Sequence, residues 1–237
     1  MKKFYILTGS NGSLGRIVKN YLIKKKINLL NIDINKTNNN NNNCLDASKE
    51  KDVKFFFQKL ENKKIYPEVL INSAGLFVNE PIITIKKAKL ESHSLSSFKK
   101  IINSNLNTAF LMNVNYVRHM VANKKKGLII NFSSIAAEGN IGQVAYSIAK
   151  CGVELLNKMI VKEVGKFGIR SVCIAPGFVN VESTKKILSK NVFNTIINNT
   201  PSKKLVLVNN IINTIFYIIN NSNVNGCTIK VDDGYIL

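Results

Sequence analysis

The stretch that decides the fold is Gly127-Leu128-Ile129-Ile130-Asn131-Phe132-Ser133-Ser134. Residues 127–132 form an almost continuous apolar run, which is typical of a strand buried on both faces of a parallel sheet. Two serines follow at the C-terminal end of this run, and open α/β sheets place their ligands beyond that end of their strands. The sequence therefore predicts a parallel sheet with a ligand site just after Phe132.

A tyrosine and a lysine, Tyr146 and Lys150, follow shortly after these serines. On a helix, positions i and i+4 lie on one face with their Cβ atoms about 5–6 Å apart. An adjacent cation favours the phenolate and lowers the pKa of a tyrosine from its usual value of about 10. Tyr146 is therefore a candidate general acid/base. Taken alone, the pair also fits a solvated lysine beside a half-buried tyrosine.

Length and composition predict one α/β domain spanning residues 1–237, with 45% hydrophobic residues to fill its core. No apolar run reaches the roughly 18 residues that a membrane span requires. An apolar strand pattern begins at Phe4, which leaves no room for a signal peptide, so we expect a cytoplasmic protein with no membrane association. The four cysteines lie far apart without metal-site spacing, and we expect neither disulfides nor a bound metal.

The chain is strongly basic: 34 Lys and Arg minus 14 Asp and Glu gives a formal net charge of +20. Such a charge is typical of proteins that bind nucleic acid. The lysines are spread along the chain, however, and no basic stripe interleaved with aromatic residues is present. Asparagine, lysine and isoleucine also rise together in a G+C-poor genome. We therefore expect no nucleic-acid partner.

The N-terminal segment reads as strand, glycine-rich turn and helix. An apolar run at 4–7 leads into the loop Thr8-Gly9-Ser10-Asn11-Gly12-Ser13-Leu14-Gly15, and a helical pattern continues to Leu22. Glycines let a pyrophosphate approach the backbone, and a helix N-terminus offers free N–H groups to it. The pattern predicts a dinucleotide-binding loop, with a tight turn that binds no ligand as the alternative.

Two aspartates are candidates for contacts to the adenosine half of a dinucleotide. Asp33 ends the second apolar run, where a carboxylate can bind both ribose hydroxyls of NAD and repels the 2′-phosphate of NADP. We therefore predict NAD(H), without excluding NADP(H), since Lys36 is nearby; the alternative for Asp33 is a turn or cap residue. Asp46 could contact adenine or serve as a helix N-cap ahead of Ala47.

The remaining elements follow from periodicity. We expect helices over 48–63, 95–122, 144–166 and 206–220, and strands over 44–46, 68–71, 168–174 and 227–231. The asparagine run at 38–43 is expected to be a disordered insertion, and 77–94 an irregular loop over the site. The long polar segment 178–204 is expected to be a substrate lid.

The chain resembles the short-chain dehydrogenases/reductases, and within them the compact single-domain branch that includes 3-oxoacyl-carrier-protein reductases. The resemblance extends over nearly the whole length, and its markers occur in the family's order: the Thr8 to Gly15 loop, Asp46, Asn72-Ser73-Ala74-Gly75, Asn105, Ser134, Tyr146 with Lys150, Pro176-Gly177, and Gly226 with Val231-Asp232-Asp233-Gly234. It implies a doubly wound, parallel, seven-stranded sheet, the Rossmann fold.

The resemblance also implies roles for individual residues. Tyr146 would exchange a proton with the substrate oxygen, and Ser134 would hydrogen-bond that oxygen. Lys150 would lower the pKa of the tyrosine and hold the nicotinamide ribose, while Asn105 would hold a water in a proton relay. The implied cofactor-binding residues are Thr8, Gly9, Asn11, Gly12, Ser13, Leu14, Gly15, Asp33, Asp46, Ala47, Asn72, Ala74, Gly75, Tyr146, Lys150, Pro176, Gly177 and Val179.

Two departures from the family pattern affect these assignments. The interval from Ser134 to Tyr146 is one residue shorter than usual, and Ser133 restores the usual count, so Ser133 stays an alternative catalytic serine. Val181 stands where the family often has a threonine that touches the nicotinamide carboxamide, and Thr184 is a possible substitute.

The expected activity is hydride transfer between nicotinamide and an alcohol or carbonyl. The positive charge would attract a 3-oxoacyl thioester on an acidic carrier, and it favours that substrate only if the lysines cluster around the pocket. The long segment between Leu76 and Asn105 favours a sugar or sugar nucleotide for surface polysaccharide. The alternative from another class is a catalytically silent NAD-binding scaffold or regulator. Family habit suggests a homo-oligomer, a dimer or tetramer, packed through the helices at 95–122 and 144–166.

Overall fold

The sheet is the feature that organises the molecule. The computed structural model describes residues 3–35, 42–86, 88–182, 184 and 189–235. Seven strands form one sheet: β1 (Phe4–Thr8), β2 (Asn28–Asp33), β3 (Asn42–Cys44), β4 (Val69–Asn72), β7 (Gly127–Phe132), β8 (Ile169–Pro176) and β9 (Thr228–Val231). Their spatial order is β3-β2-β1-β4-β7-β8-β9, and every neighbouring pair is parallel. The predicted doubly wound, seven-stranded parallel sheet is confirmed.

The central strands are apolar on both faces because each face has its own core. Ile6, Leu70 and Ile129 are fully buried in one cluster, and the residues that follow them, Leu7, Ile71 and Ile130, are fully buried in the other. Successive side chains of a strand point to opposite faces, so this alternation places one cluster above the sheet and one below it. Between β1 and β4 the strand order reverses, which is where such sheets bind ligands.

The helices are α1 (Ser13–Lys24), α2 (Glu50–Asn62), α3 (Leu95–Ile102), α4 (Thr108–Ala122), α5 (Val144–Val164), α6 (Lys190–Asn199) and α7 (Val208–Asn220). The predicted single helix over 95–122 is interrupted, because Asn103–Asn107 form a turn of π-helix between α3 and α4. Such a turn locally widens a helix and often accompanies a functional site. No helix in the described ranges is both long and apolar enough to cross a bilayer.

The expectation of an irregular loop over 77–94 holds for 77–82 and is wrong for 83–92. β5 (Ile83–Lys86) and β6 (Lys89–Ser92) form an antiparallel hairpin, with Ile85 opposite Leu90. The signal was the period-two alternation of Ile83, Thr84 and Ile85. At the base of the hairpin, the Glu80 N–H donates to the Gly142 carbonyl oxygen at 2.8 Å, which ties the hairpin to the segment before α5.

Two polar segments differ from expectation in part. The asparagine run over 38–43 was expected to be disordered. Asn43 nevertheless belongs to β3 and pairs with Ile32 of β2, because the hydrogen bonds between strands come from the backbone. Residues 38–41 lie outside the described part of the chain. Within the expected lid at 178–204, Val179 bridges to Val206, and α6 lies between them in sequence. Residues 183 and 185–188 of that segment also lie outside the described part.

Candidate active site

A cleft of about 630 Å³ opens beyond the C-terminal ends of the central strands. It brings together most of the predicted catalytic region: Ser13, Leu14, Gly75, Asn105, Ser133, Ser134, Tyr146, Lys150, Pro176, Gly177, Val179, Val181 and Thr184. The other predicted cofactor residues do not line it: Thr8, Gly9, Asn11, Gly12, Gly15, Asp33, Asp46, Ala47, Asn72 and Ala74. They lie along the same edge of the sheet: at or just after the ends of β1, β2 and β4, in the first turn of the helix that follows β1, and in the segment after β3.

Lys150 is a buried cation directed at the strand that carries the serines. Its Nζ donates to the Phe132 carbonyl oxygen at 2.8 Å and lies 5.5 Å from the centre of the Tyr146 ring. Burial lowers the pKa of Lys150 to about 8, because the charged ammonium is poorly solvated there. The lysine is therefore close to its protonation midpoint at physiological pH.

Tyr146 lies on the same face of α5 as Lys150, as the spacing predicts. Its ring is half-buried, with Phe77 edge-on at 5.3 Å between centroids. Burial raises the pKa of Tyr146, and the hydrogen bond from Ser134 acts in the opposite direction with a smaller effect. The expectation that Lys150 would lower this pKa below its usual value is therefore wrong for this structure, because desolvation of the phenolate is the larger influence.

The two serines after β7 have different partners. Ser133 is buried, and its hydroxyl lies 2.7 Å from Oε1 of Glu154 and 3.3 Å from the Lys150 carbonyl oxygen. Ser134 accepts a hydrogen bond from the Ala136 N–H at 3.2 Å, and its hydroxyl lies near enough to Tyr146 to lower the pKa of the phenol. Since a hydroxyl has a single proton to donate, Ser133 directs its proton at α5, whereas Ser134 faces the tyrosine.

Asn105 projects into the cleft from the π-helical turn. Its Nδ2 donates to the Leu76 carbonyl oxygen at 2.8 Å and to the Ile101 carbonyl oxygen at 3.0 Å. Its Oδ1 is buried and has no hydrogen-bond partner within the described residues. A Cβ on Gly75 would come within 2.5 Å of that oxygen and 3.6 Å of Lys150 Nζ, so only glycine fits between these two side chains.

The glycine-rich loop has the geometry that a dinucleotide needs. Gly9 has a φ of +65°, and a Cβ there would lie 2.7 Å from the Ala74 Cα, so β1 and β4 meet closely at this point. Gly12 is the N-cap residue of α1 and has no side chain to cap the helix, so the first N–H groups of α1 remain available. An anionic pyrophosphate is the ligand that such a helix start favours.

Asp33 lies at the end of β2 and faces this loop. Its Oδ2 accepts from the Asn11 N–H at 2.9 Å, and its Oδ1 accepts from the Asn35 N–H at 3.0 Å. Each carboxylate oxygen has a further lone pair, so Asp33 can fix the turn and still accept hydrogen bonds from a ribose. Both interpretations of Asp33 from the sequence are therefore compatible with the geometry.

Three other predicted residues have mainly structural contacts. Thr8 Oγ1 accepts from the Ala74 N–H at 3.2 Å, and Asn72 Nδ2 donates to Asn113 and Asn131 inside the protein. Asp46 Oδ1 accepts from the N–H and hydroxyl of Ser48. The alternative of Asp46 as a helix N-cap is wrong, since α2 begins at Glu50 with Lys49 at its N-cap.

Several side chains that line the cleft were not singled out from the sequence. They are mostly apolar or uncharged: Ser73, Leu76, Phe77, Asn79, Ile135, Ala136, Asn140, Ile141, Gln143, Phe178, Val192, Thr195, Ile196 and Tyr235. Phe178, Val192, Thr195 and Ile196 fall within the segment expected to be a lid. No sequence signal marked Tyr235, which follows the last strand and packs edge-on against Phe178 at 5.2 Å. Within the described ranges, no three His, Cys, Asp or Glu side chains are grouped as a metal site requires.

The fold and this cleft define a nicotinamide-dependent oxidoreductase. The family profile described as enoyl-(acyl carrier protein) reductase matches residues 23–236, and the chain belongs to the short-chain dehydrogenase/reductase family. It is an NAD(P)-dependent dehydrogenase or reductase.

Relatives and solved structures agree with this assignment. The chain is 28% identical over 250 residues to 3-oxoacyl-[acyl-carrier-protein] reductase of Buchnera aphidicola subsp. Baizongia pistaciae, covering 98% of this chain and 97% of that protein. It is 33% identical over 146 residues to human 3-hydroxyacyl-CoA dehydrogenase type-2, covering 57% and 55%. Among solved structures, 4-hydroxyisoleucine dehydrogenase complexed with NADH has a TM-score of 0.84 at 26% identity, covering 98% of this chain and 97% of that one.

Proposed function

We propose that the protein interconverts 3-oxoacyl and 3-hydroxyacyl thioesters with NAD(H) as its cofactor. The observation that carries this proposal is the apolar lining of the cleft around Tyr146, formed by Phe77, Ile141, Phe178, Val192 and Ile196. Transfer of an acyl chain from water to such a surface lowers the free energy of the system. Two of the relatives named above act, by their names, on acyl groups of this kind.

A sugar nucleotide fits this lining less well. Among the described residues that line the cleft, Lys150 is the only cation, and its Nζ is already hydrogen-bonded to Phe132. A phosphorylated sugar would require a further Arg or Lys to bind its charge. The positive charge of the whole chain remains available to attract an acidic carrier from solution.

The four catalytic candidates suit a carbonyl reduction. NADH, which the glycine-rich loop and Asp33 would hold, would supply the hydride for the new C–H bond at the substrate carbonyl carbon and would be oxidised to NAD⁺. The C=O π bond breaks, and the oxygen takes the phenolic proton of Tyr146, which gives the alcohol. Ser134 donates a hydrogen bond to the same oxygen as negative charge develops on it. Tyr146 would then regain a proton from solvent through Lys150 and a water held by the Asn105 Oδ1.

Asp33 supports NAD(H) over NADP(H). Its carboxylate faces the glycine-rich loop, where it would accept hydrogen bonds from the adenosine ribose and repel a 2′-phosphate. The alternative of a silent scaffold is weakened because Ser134, Tyr146, Lys150 and Asn105 all line one cleft.

The test is a spectrophotometric assay of the purified protein with acetoacetyl-CoA, following the absorbance of NADH or NADPH. We expect turnover with NADH and a lower specificity constant with NADPH. The control is Tyr146→Phe, which keeps the ring and removes the proton donor. NADH binding without any turnover of acetoacetyl-CoA or longer 3-oxoacyl thioesters would overturn the proposed substrate class. NADH binding without turnover of any alcohol or carbonyl compound, sugars included, would instead support the silent NAD-binding scaffold.

A further inference from the structure

We propose that Glu154 and Ser133 are a positioning pair that holds Ser134 against Tyr146. This inference rests on the proposed function for its meaning in catalysis, but its geometry is independent of the substrate. Glu154 follows Lys150 by one helical turn on α5, and its Oε1 accepts the Ser133 hydroxyl at 2.7 Å. The bond joins the strand end that carries the serines to the helix that carries the tyrosine.

Ser133 is restrained from both sides of this joint. Its N–H donates to the Ile174 carbonyl oxygen of β8 at 2.8 Å, which extends the sheet pairing of β7 by one residue. Its side chain is buried, and the Lys150 carbonyl oxygen lies 3.3 Å away as a weaker second acceptor. The single hydroxyl proton is therefore directed at Glu154, and Ser133 cannot serve the substrate as a donor.

Ser134 takes its orientation from this restraint. After Ser133 the chain leaves the sheet, and Ser134 adopts an extended conformation with φ −165° and ψ 155° before a short 3-10 turn at Ile135–Glu138. Its Oγ accepts from the Ala136 N–H, so its own proton is free for the tyrosine or a substrate oxygen. A shift of about 1 Å in a catalytic group can cost two orders of magnitude in rate, so the anchor one residue earlier matters.

The assignment also decides between the two serines. It makes Ser134, which lines the cleft with Tyr146, the catalytic serine, and Ser133 a residue that acts through its neighbour. Ser134 lowers the pKa of Tyr146 against the effect of burial, so a displaced Ser134 hydroxyl would change that pKa. This gives a readout that does not depend on the substrate.

The test compares Glu154→Leu, Glu154→Gln and Ser133→Ala, since the glutamine keeps an acceptor oxygen and the other two variants remove the bond. Tyrosines are labelled with ¹³C at Cζ, and the signal of Tyr146 is assigned with Tyr146→Phe. We expect Glu154→Leu and Ser133→Ala to move the Tyr146 signal in the same direction as Ser134→Ala. Glu154→Gln should leave it near its original position. An unmoved signal in folded Glu154→Leu, checked by circular dichroism, would overturn the proposal whatever the enzyme acts on.

Kinetics supply the second measurement. With acetoacetyl-CoA, Glu154→Leu should lower kcat about tenfold with the NADH affinity unchanged, and Glu154→Gln should recover most of that loss. In a Ser134→Ala background, Glu154→Leu should have almost no further effect, because it acts through the missing hydroxyl. An equal tenfold loss in both backgrounds would assign Glu154 a separate structural role. Inactive wild-type protein would overturn the proposed function and leave the NMR result to decide this inference.

Discussion

The ammonium of Lys150 lies 2.8 Å from the Phe132 carbonyl oxygen, with almost no exposure to water. One hydrogen bond does not replace the hydration of a cation, and the pKa of Lys150 falls from 10.5 to about 8 as a result. The buried ammonium of Lys150 therefore lowers the stability of the fold at neutral pH. This cost can be measured.

The first prediction concerns Lys150→Met. Between about pH 8 and 10.5 the unfolded wild-type chain binds a proton at Lys150 that the folded chain has lost, so the wild type gains stability relative to the variant as pH rises. The relative gain should approach about 3 kcal/mol in the free energy of unfolding. Urea titrations at several pH values give the free energy of unfolding of both proteins. Subtracting the value of the variant from that of the wild type removes the contribution of the other titrating groups. A pH-independent difference would contradict the low pKa.

Tyr146→Phe should abolish turnover and leave cofactor binding intact. In the proposed mechanism the substrate oxygen receives the phenolic proton, and positioned proton donors contribute about 10²- to 10⁴-fold to the rate. The ring itself packs against Phe77, and phenylalanine preserves that contact. Steady-state kinetics and NADH fluorescence titration check the two halves of the prediction. Retention of more than a tenth of the activity would exclude the tyrosine as the main proton donor.

Asp33→Ala should change the cofactor preference more than it changes stability. The variant loses the hydrogen bonds from Asn11 and Asn35, which affects both cofactors alike. It also loses the negative charge and the proposed ribose contact, which affects the two cofactors differently. We expect the ratio of NADH affinity to NADPH affinity to fall about tenfold or more. Parallel fluorescence titrations on the same preparation give the ratio directly. A proportional loss for both cofactors would leave Asp33 as a turn residue.

Gly75→Ala should disturb Asn105, and a second substitution should separate the steric effect from the chemical one. The added Cβ would lie 2.5 Å from Asn105 Oδ1, closer than real Cβ atoms approach other atoms. We expect a lower melting temperature and a lower kcat for Gly75→Ala. In Gly75→Ala/Asn105→Ala the melting temperature should recover, because the clash is gone, while kcat stays low. If the double variant also regained activity, Asn105 would have no part in the reaction.

Apolar periodicity and marker spacing predicted the sheet, most of the helices and about half of the residues that line the cleft, because these depend on local pattern. The hairpin of Ile83–Lys86 and Lys89–Ser92 was missed although its alternation was visible, since three residues are a weak signal. The raised pKa of Tyr146 could not be predicted, because desolvation depends on the whole surrounding fold. The partnership of Ser133 and Glu154 was equally hidden, as its members lie 21 residues apart on different elements.

The exposed face of α4 and α5 leads to the last prediction. Phe110 and Val114 are partly exposed on α4, and Ile148, Leu155 and Met159 on α5, with Leu155 at 61% exposure. Spacings of three, four and seven place such residues on one side of a helix. We infer that this face joins two copies of the chain, in agreement with the helices expected from the sequence to form the interface.

Leu155→Glu should therefore dissociate the assembly in sedimentation velocity, because it places a charge in a face that would otherwise be dry. Leu90→Glu is the matched control, since Leu90 is 74% exposed on the hairpin and should tolerate the same change. Each copy has a net charge of +20, so their mutual repulsion opposes association and is screened by salt. Wild-type association should accordingly strengthen between low and physiological ionic strength, whereas Leu155→Glu should stay monomeric. If Leu90→Glu dissociated while Leu155→Glu stayed assembled, the interface would lie at the hairpin and not on α4 and α5.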